Sequence, residues 1–117
     1  MASETKGGAT TSLDCQVVGV GGQGVVLASR LIAAAAMARG LFVRTAETIG
    51  MSQRGGSVAS HVRAAATADD LPSSLIPAHG ADLVLAFEPG EAVRAVGQLK
   101  AACAMVCATR PVVPSAA

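Results

Sequence analysis

Short apolar runs alternate along the chain with stretches of helix-forming residues. The apolar runs, rich in β-branched residues, predict five strands at residues 15–20, 41–47, 57–63, 81–87 and 104–109. Two stretches of strong helix formers predict helices at residues 23–39 and 91–100. The first strand, the first helix and the second strand fit within about 30 residues, which predicts a βαβ unit whose two strands pair in parallel.

This order of elements predicts an α/β fold, a Rossmann-like three-layer sandwich with a mostly parallel sheet. A chain of 117 residues has room for one domain. Residues 1–14 are mostly small and polar, so we expect a flexible leader there and assign residues 15–117 to the domain. The glycine-rich segment 48–56 predicts a loop. The strand at 57–63 alternates in polarity, and we expect the face with His61 and Arg63 to be the wetter one.

The first helix is apolar around nearly its whole circumference, because only Ser29, Arg30 and Arg39 are clearly polar. A helix of this kind is usually covered on both sides. The sheet of its own domain can cover one side. For the other side we expect a partner subunit.

Composition excludes several classes of function. Hydrophobic residues make up 51% of the chain and charged residues 15%, which indicates a globular protein. Aromatic residues are 2%, and the net charge is +1, so we expect no nucleic acid as a partner. No apolar run approaches the roughly 20 residues that span a bilayer, so we expect no membrane partner. Three cysteines, an odd number, favour a reducing compartment, the cytoplasm. Cys103 and Cys107 are expected to be buried thiols, and no metal site is predicted.

A glycine-rich turn joins the first strand to the first helix. Its candidate site residues are Gly19, Gly21, Gly22, Gln23 and Gly24. The spacing fits the dinucleotide-binding fingerprint, in which glycines let backbone N–H groups and the helix dipole face an anion. Glu47 lies roughly where an acidic ribose ligand would fall. Alternatively, the glycines only let the helix pack closely on the sheet.

A second candidate loop follows the second strand. Its residues are Gln53, Arg54, Gly55 and Gly56. An arginine fork beside exposed backbone N–H groups suits a carboxylate or a phosphate. An ordinary ion pair or a subunit contact of Arg54 explains the pattern equally well. No arrangement of nucleophile and base, and no pair of carboxylates, can be assigned, so we expect the chain alone not to be catalytic.

Taken together, these motifs resemble the gamma domain of 2-oxoacid:ferredoxin oxidoreductases. The resemblance runs from about residue 16 to residue 114 and rests on segments 18–29, 47–58, 61–63 and 81–89, in that order. The version Met51-Ser-Gln-Arg-Gly-Gly56 is most similar to the small subunit of the indolepyruvate-type members. The family domain continues with further strands and helices. We therefore expect a sheet that is incomplete at its C-terminus, in a fragment or a short form.

The resemblance implies an accessory subunit that works with a large catalytic (alpha) subunit. Together they would oxidise a 2-oxoacid, an aryl pyruvate such as indolepyruvate, to acyl-CoA, carbon dioxide and reduced ferredoxin. Thiamine diphosphate, magnesium and iron-sulfur clusters would sit on the large subunit, and this chain would bind no cofactor alone. The loops with Gln23 and Arg54 would face the partner near its active site. The alternative is a free-standing Rossmann-like module that binds a nucleotide or regulates another protein.

Overall fold

The computed structural model describes residues 12–49, 56–71 and 73–109. The elements are β1 (Ser12–Val20), α1 (Val25–Ala38), β2 (Phe42–Ile49), β3 (Ser57–Ala65), β4 (Ala81–Ala86), α2 (Pro89–Ala95) and β5 (Leu99–Cys107). Short 3-10 turns lie at Ala68–Asp70 and Val96–Gln98. Within this part of the chain, no helix is long and apolar enough to cross a membrane.

The five strands form one mixed sheet in the order β2-β3-β1-β4-β5. β3 is antiparallel to both of its neighbours, whereas β1, β4 and β5 pair in parallel. Four strands therefore run in one direction and only β3 opposes them, which confirms the α/β class and the mostly parallel sheet. The predicted pairing of β1 with β2 is wrong, because β3 lies between them. β3 is buried along most of its length, which suits a central position. β2 carries the exposed charged residues Arg44 and Glu47, which suit an edge strand.

Helices cover the two faces of the sheet, so the predicted three layers are confirmed. α1 packs over β1, β2 and β3, and α2 packs over β1, β4 and β5 on the opposite face. Alternation along β1 divides the core accordingly: Val17 lies in the cluster under α1 with Val25, and Val18 lies in the cluster under α2 with Ala92.

The first strand begins earlier than predicted, at Ser12 rather than at residue 15. Asp14 is held firmly in the sheet: its backbone N–H donates to the Asp82 carboxylate at 2.8 Å, and its own carboxylate pairs with Arg63 at 2.9 Å. Residues 12–14 are thus part of the sheet and not of the leader. Residues 1–11 lie outside the described residues, so a leader there stays a prediction.

The second helix ends earlier than predicted. It stops at Ala95, and β5 begins at Leu99, where the apolar spacing predicted helix to residue 100 and a strand only from 104. Gly97 disfavours continued helix and lies in the intervening 3-10 turn. The buried residues of α2 are Glu91, Ala92 and Ala95, whereas Val93 is 74% exposed.

The polar face of β3, with His61 and Arg63, is covered by other parts of the chain. The connection from β3 to β4 lies over it, and the Arg63 guanidinium donates to the Leu75 carbonyl at 3.1 Å. His61 is buried, and its Nδ1 accepts the Ile76 N–H at 3.2 Å. Both polar side chains therefore fasten this connection to the sheet.

The two cysteines of β5 differ from the prediction that both are buried. Cys107 is exposed, and Cys103 is only partly buried. β5 is the last strand of the described sheet, so it has a neighbour on one side only. The fully buried thiol is that of Cys15, on the more central β1.

Candidate functional site

The glycine turn follows β1 and leads into α1, as predicted. Gly22 and Gly24 have φ angles of 89° and 87°, in the left-handed region that favours glycine. Gly24 is the N-cap residue of α1, and its carbonyl accepts the Ala28 N–H at 2.9 Å. Among the described residues no side chain caps this helix, and its first turn carries no acidic residue.

Gly19 has a different role, which is close packing. A Cβ at this position would lie 2.7 Å from Gln23 Oε1, 2.8 Å from Val25 Cγ2 and 3.3 Å from Phe87 Cβ. The start of α1 and the end of β4 therefore approach the β1 backbone where only glycine fits. At this residue the geometry supports the packing interpretation of the motif.

Gln23 ties the turn to the end of β4. Its Oε1 accepts the Val20 N–H at 2.8 Å, and its Nε2 donates to the Phe87 carbonyl at 3.2 Å. Both ends of the amide are thus engaged by the backbone of the same domain. Sequence reasoning missed this role because the second partner lies 64 residues away along the chain.

The two candidate loops meet at one hydrogen bond, in which the Gly21 N–H donates to the Gly56 carbonyl at 3.0 Å. This bond continues the ladder between β1 and β3 past the end of β1. Gln53, Arg54 and Gly55 lie outside the described residues, so their contacts stay predictions. Gly56, the last residue of this candidate loop, nevertheless lies beside the glycine turn.

Glu47 is not beside the glycine turn. It lies exposed on β2 opposite Ser60 of β3, and Ser60 in turn lies opposite Val17 of β1. Two strand spacings of roughly 4.8 Å each separate it from β1. In the dinucleotide fold the acidic ribose ligand and the glycine turn belong to neighbouring parallel strands. This geometry gives no support to Glu47 as a ribose ligand.

A small apolar cavity of about 160 Å³ opens beside the turn. Its lining residues are Val20, Gly21, Gly22, Gly24, Val25, Val26, Leu27 and Val58. No charged side chain contributes to this lining. The cavity therefore suits an apolar side chain better than a phosphate.

A hydrogen-bonded cluster that sequence reasoning missed fixes the start of β3 to α2. Glu88 caps α2 by accepting the Glu91 N–H at 3.0 Å, and Glu91 accepts the Ser57 hydroxyl at 2.9 Å. Arg94 donates to Ser57 at 3.0 Å and to Glu91 at 3.2 Å. The order acid, proline, glycine, acid at residues 88–91 resembles a capping signature and could have indicated the helix start.

The described residues hold no evident metal centre. Across residues 12–49, 56–71 and 73–109, no group of three or more His, Cys, Asp or Glu residues could hold a metal ion. Burial raises the pKa of the Cys15 thiol to about 11, with a smaller effect of Asp82 in the same direction. A thiol held protonated in this way is a poor metal ligand.

The sequence is similar to named proteins over most of its length. Subunit IorB of indolepyruvate oxidoreductase from Archaeoglobus fulgidus is 49% identical over 102 residues, which are 87% of this chain and 49% of that protein. Its counterpart from Pyrococcus horikoshii is 42% identical over 98 residues, which are 84% of this chain and 47% of that protein. The chain thus spans about half the length of the curated relatives it matches.

Solved structures agree with this similarity. The 2-oxoglutarate:ferredoxin oxidoreductase of Magnetococcus marinus aligns with a TM-score of 0.71 at 27% identity, over 85% of this chain and 16% of that one. The gamma subunit of a keto/oxoacid ferredoxin oxidoreductase from Geobacter sulfurreducens aligns with a TM-score of 0.64 at 22% identity, over 86% of this chain and 56% of that one. The second match shows the fold alone.

The family model described as pyruvate ferredoxin/flavodoxin oxidoreductase matches residues 14–116. That range contains both candidate loops, and it confirms the resemblance that the glycine turn and the Arg-Gly-Gly loop indicate. The chain belongs to the pyruvate ferredoxin/flavodoxin oxidoreductase family.

Proposed function

We propose that this chain is an accessory, non-catalytic subunit of a thiamine-diphosphate-dependent 2-oxoacid:ferredoxin oxidoreductase in the cytoplasm. The substrate is an aryl pyruvate such as indolepyruvate, which fits the names of the relatives with 42–49% identity. A large catalytic subunit carries thiamine diphosphate, magnesium and iron-sulfur clusters. Ferredoxin and coenzyme A act through the complex.

The observation that carries this proposal is that the outer face of α1 is apolar and exposed. Val25 and Ser29 of this helix are buried against the sheet, whereas Leu27 and Leu31 are each 63% exposed on the other side and Met37 is 59% exposed. Exposed apolar patches mark sites of association with other proteins. A subunit that is covered by a larger partner accounts for this face.

The position of the two loops supports a role next to the partner's active site. The Gly21 N–H donates to the Gly56 carbonyl at the C-terminal end of β1, and Gly56 directly follows the Arg54 segment in the chain. In open α/β sheets, ligands gather at this end of the parallel strands. Because the Gln23 amide is engaged within the domain, the turn would present backbone groups and the apolar cavity to the partner.

The alternative of a free-standing nucleotide-binding module has less support. It needs an acidic ligand on the parallel strand next to β1, and the candidate Glu47 lies on β2, which β3 separates from β1. Calorimetric titration of the chain with NAD and with adenine nucleotides should therefore give no heat of binding.

Reconstitution tests the proposal directly. The chain and the large subunit from the same organism are purified separately and mixed, and ferredoxin reduction that depends on 2-oxoacid and coenzyme A is followed. We expect no activity from the chain alone, activity from the mixture, and a higher kcat/KM for indolepyruvate than for pyruvate. A chain that neither binds the large subunit nor changes its rate would contradict the proposal.

A further inference from the structure

The outward face of α1 carries a regular apolar seam. It consists of Leu27, Leu31, Ala34 and Ala38, all exposed, and we call it the α1 seam. The spacing of four, three and four residues is that of the two core positions of a heptad repeat. At 1.5 Å per residue the seam is roughly 16 Å long, which suffices for two turns or more of a second helix. Its two alanines allow a close approach of that helix.

The α1 seam continues into the apolar cavity beside the glycine turn. Leu27 belongs to both, because it forms part of the cavity lining with Val26 and Val58. The cavity volume of about 160 Å³ is roughly five times the 30 Å³ that a water molecule occupies in the liquid. One bulky apolar side chain fits such a space. Interfaces are commonly anchored by a side chain of this type in a pocket near their centre.

Charge distinguishes between the possible occupants of the seam. Arg30 is the only charged residue of α1, and Arg39 follows at its C-cap. The first turn of α1 adds the positive end of the helix dipole, with no acidic residue to offset it. A second copy of the chain would bring arginines and no carboxylate from its own α1. An occupant with acidic residues beside its apolar seam complements this surface.

We propose that the α1 seam and the adjoining cavity dock an amphipathic helix of the partner subunit. One bulky apolar side chain of that helix enters the cavity. Its glutamate or aspartate residues lie beside Arg30 and beside the first turn of α1. The inference rests on the proposed function for the existence of a partner, and it adds the surface and the chemistry of the contact.

The experiment uses two synthetic helical peptides as probes, each as long as α1. Both carry an apolar heptad seam with one tryptophan as the anchor, and the residues flanking the seam are glutamate in one peptide and lysine in the other. The chain has no Trp and no Tyr, so tryptophan emission reports on the peptide alone. Emission is recorded while the 117-residue chain is titrated into each peptide.

We expect the glutamate peptide to bind about tenfold or more tightly than the lysine peptide, with a blue shift of its emission as the anchor leaves water. Leu31→Arg should lower the affinity for the glutamate peptide about tenfold or more, because it places a charge in the seam. Arg30→Glu should reverse the preference between the two peptides. Val93→Arg, at a 74% exposed position on α2, is the matched control and should change neither affinity.

Equal affinity for the two peptides, emission without a blue shift, or unchanged binding by Leu31→Arg would each overturn the inference. Sedimentation equilibrium tests whether a second copy of the chain occupies the α1 seam. A wild-type dimer that Leu31→Arg converts to a monomer would also overturn the inference. A Leu31→Arg chain that restores full activity to the large subunit would refute the docking surface and leave the proposed function standing. A wild-type chain that binds the glutamate peptide but never yields activity would refute the proposed function alone.

Discussion

Replacement of Gln23 by alanine should destabilise the protein through the junction of β1, α1 and β4. The wild-type amide accepts the Val20 N–H at 2.8 Å and donates to the Phe87 carbonyl at 3.2 Å. Alanine removes both hydrogen bonds and leaves a backbone donor and a backbone acceptor without their partner. The loss occurs at the junction of the end of β1, the start of α1 and the end of β4.

The expected loss of unfolding free energy follows from the number of hydrogen bonds removed and from their exposure to water. A typical intramolecular hydrogen bond contributes about 0.5–1.5 kcal/mol net, and an unsatisfied buried group costs about 1–3 kcal/mol. Gln23 is only partly buried, so water can reach part of the vacated site and the loss falls at the lower end. We expect the free energy of unfolding to fall by about 2 kcal/mol. For a domain of this size the Tm should fall by roughly 10 °C.

Urea unfolding followed by far-ultraviolet circular dichroism measures this loss, because the chain has no tryptophan to follow by fluorescence. Gln98→Ala is the matched control. The Gln98 Oε1 atom is buried without a hydrogen-bond partner in the described part of the chain, so its removal should cost less than about 0.5 kcal/mol. A Gln23→Ala protein as stable as wild type, or a Gln98→Ala protein that loses as much unfolding free energy, would contradict the stabilising role of the two Gln23 hydrogen bonds.

Three further predictions concern charge and thiol chemistry. Burial, with Arg63 nearby, lowers the pKa of His61 below its usual 6.5, so the unfolded state binds the proton more readily. The free energy of unfolding should therefore fall as the pH drops below about 6.5, and this fall should be steeper in wild type than in His61→Gln. Urea denaturation at a series of pH values measures both slopes. Cys15, whose pKa is raised to about 11, should be alkylated by iodoacetamide at pH 8 far more slowly than the exposed Cys107, and urea should abolish the difference in mass spectra. Arg63→Gln should cost about 2 kcal/mol in urea unfolding, because its guanidinium is only 13% exposed in its pair with Asp14. As the control for this substitution, Lys100→Gln, at a side chain 47% exposed in its pair with Asp82, should cost less than about 1 kcal/mol.

Local patterns predicted most of the elements because their cause is local. The β-branched run at residues 15–20 and the helix formers after Gly24 lie within β1 and α1, and no predicted boundary of these two elements is displaced by more than three residues. The limits of α2 were predicted less well. Val93 and Val96 have the spacing of a buried helical face, yet both remain exposed, and Ala92 and Ala95 provide the packing. Side-chain size alone does not indicate which face of a short helix meets the sheet.

The order of strands in the sheet depends on pairing between separate segments, and the pattern of apolar residues within one segment does not indicate it. β1 and β2 flank α1 as in a βαβ unit, and nothing in their residues shows that β3 will insert between them. The insertion depends on the pairing of Val17 with Ser60 and of Glu47 with the same residue from the other side. β2 and β3 follow one another in the chain, whereas α1 and β2 separate β1 from β3 in sequence. A prediction from periodicity therefore obtained the direction of β1 and β2 correctly and their adjacency wrongly.

The inserted strand also changes how the glycine fingerprint should be interpreted. In a dinucleotide fold the acidic partner of the turn comes from the parallel strand next to β1, and here β3 holds Glu47 one strand further away. Gly19 is required by the approach of Val25 and Phe87, and Gln23 uses its whole amide to hold that approach. The same spacing of glycines therefore serves a packed junction, and what it presents outward is a small apolar cavity at the end of an apolar helix face. That surface chemistry favours a protein partner over a nucleotide.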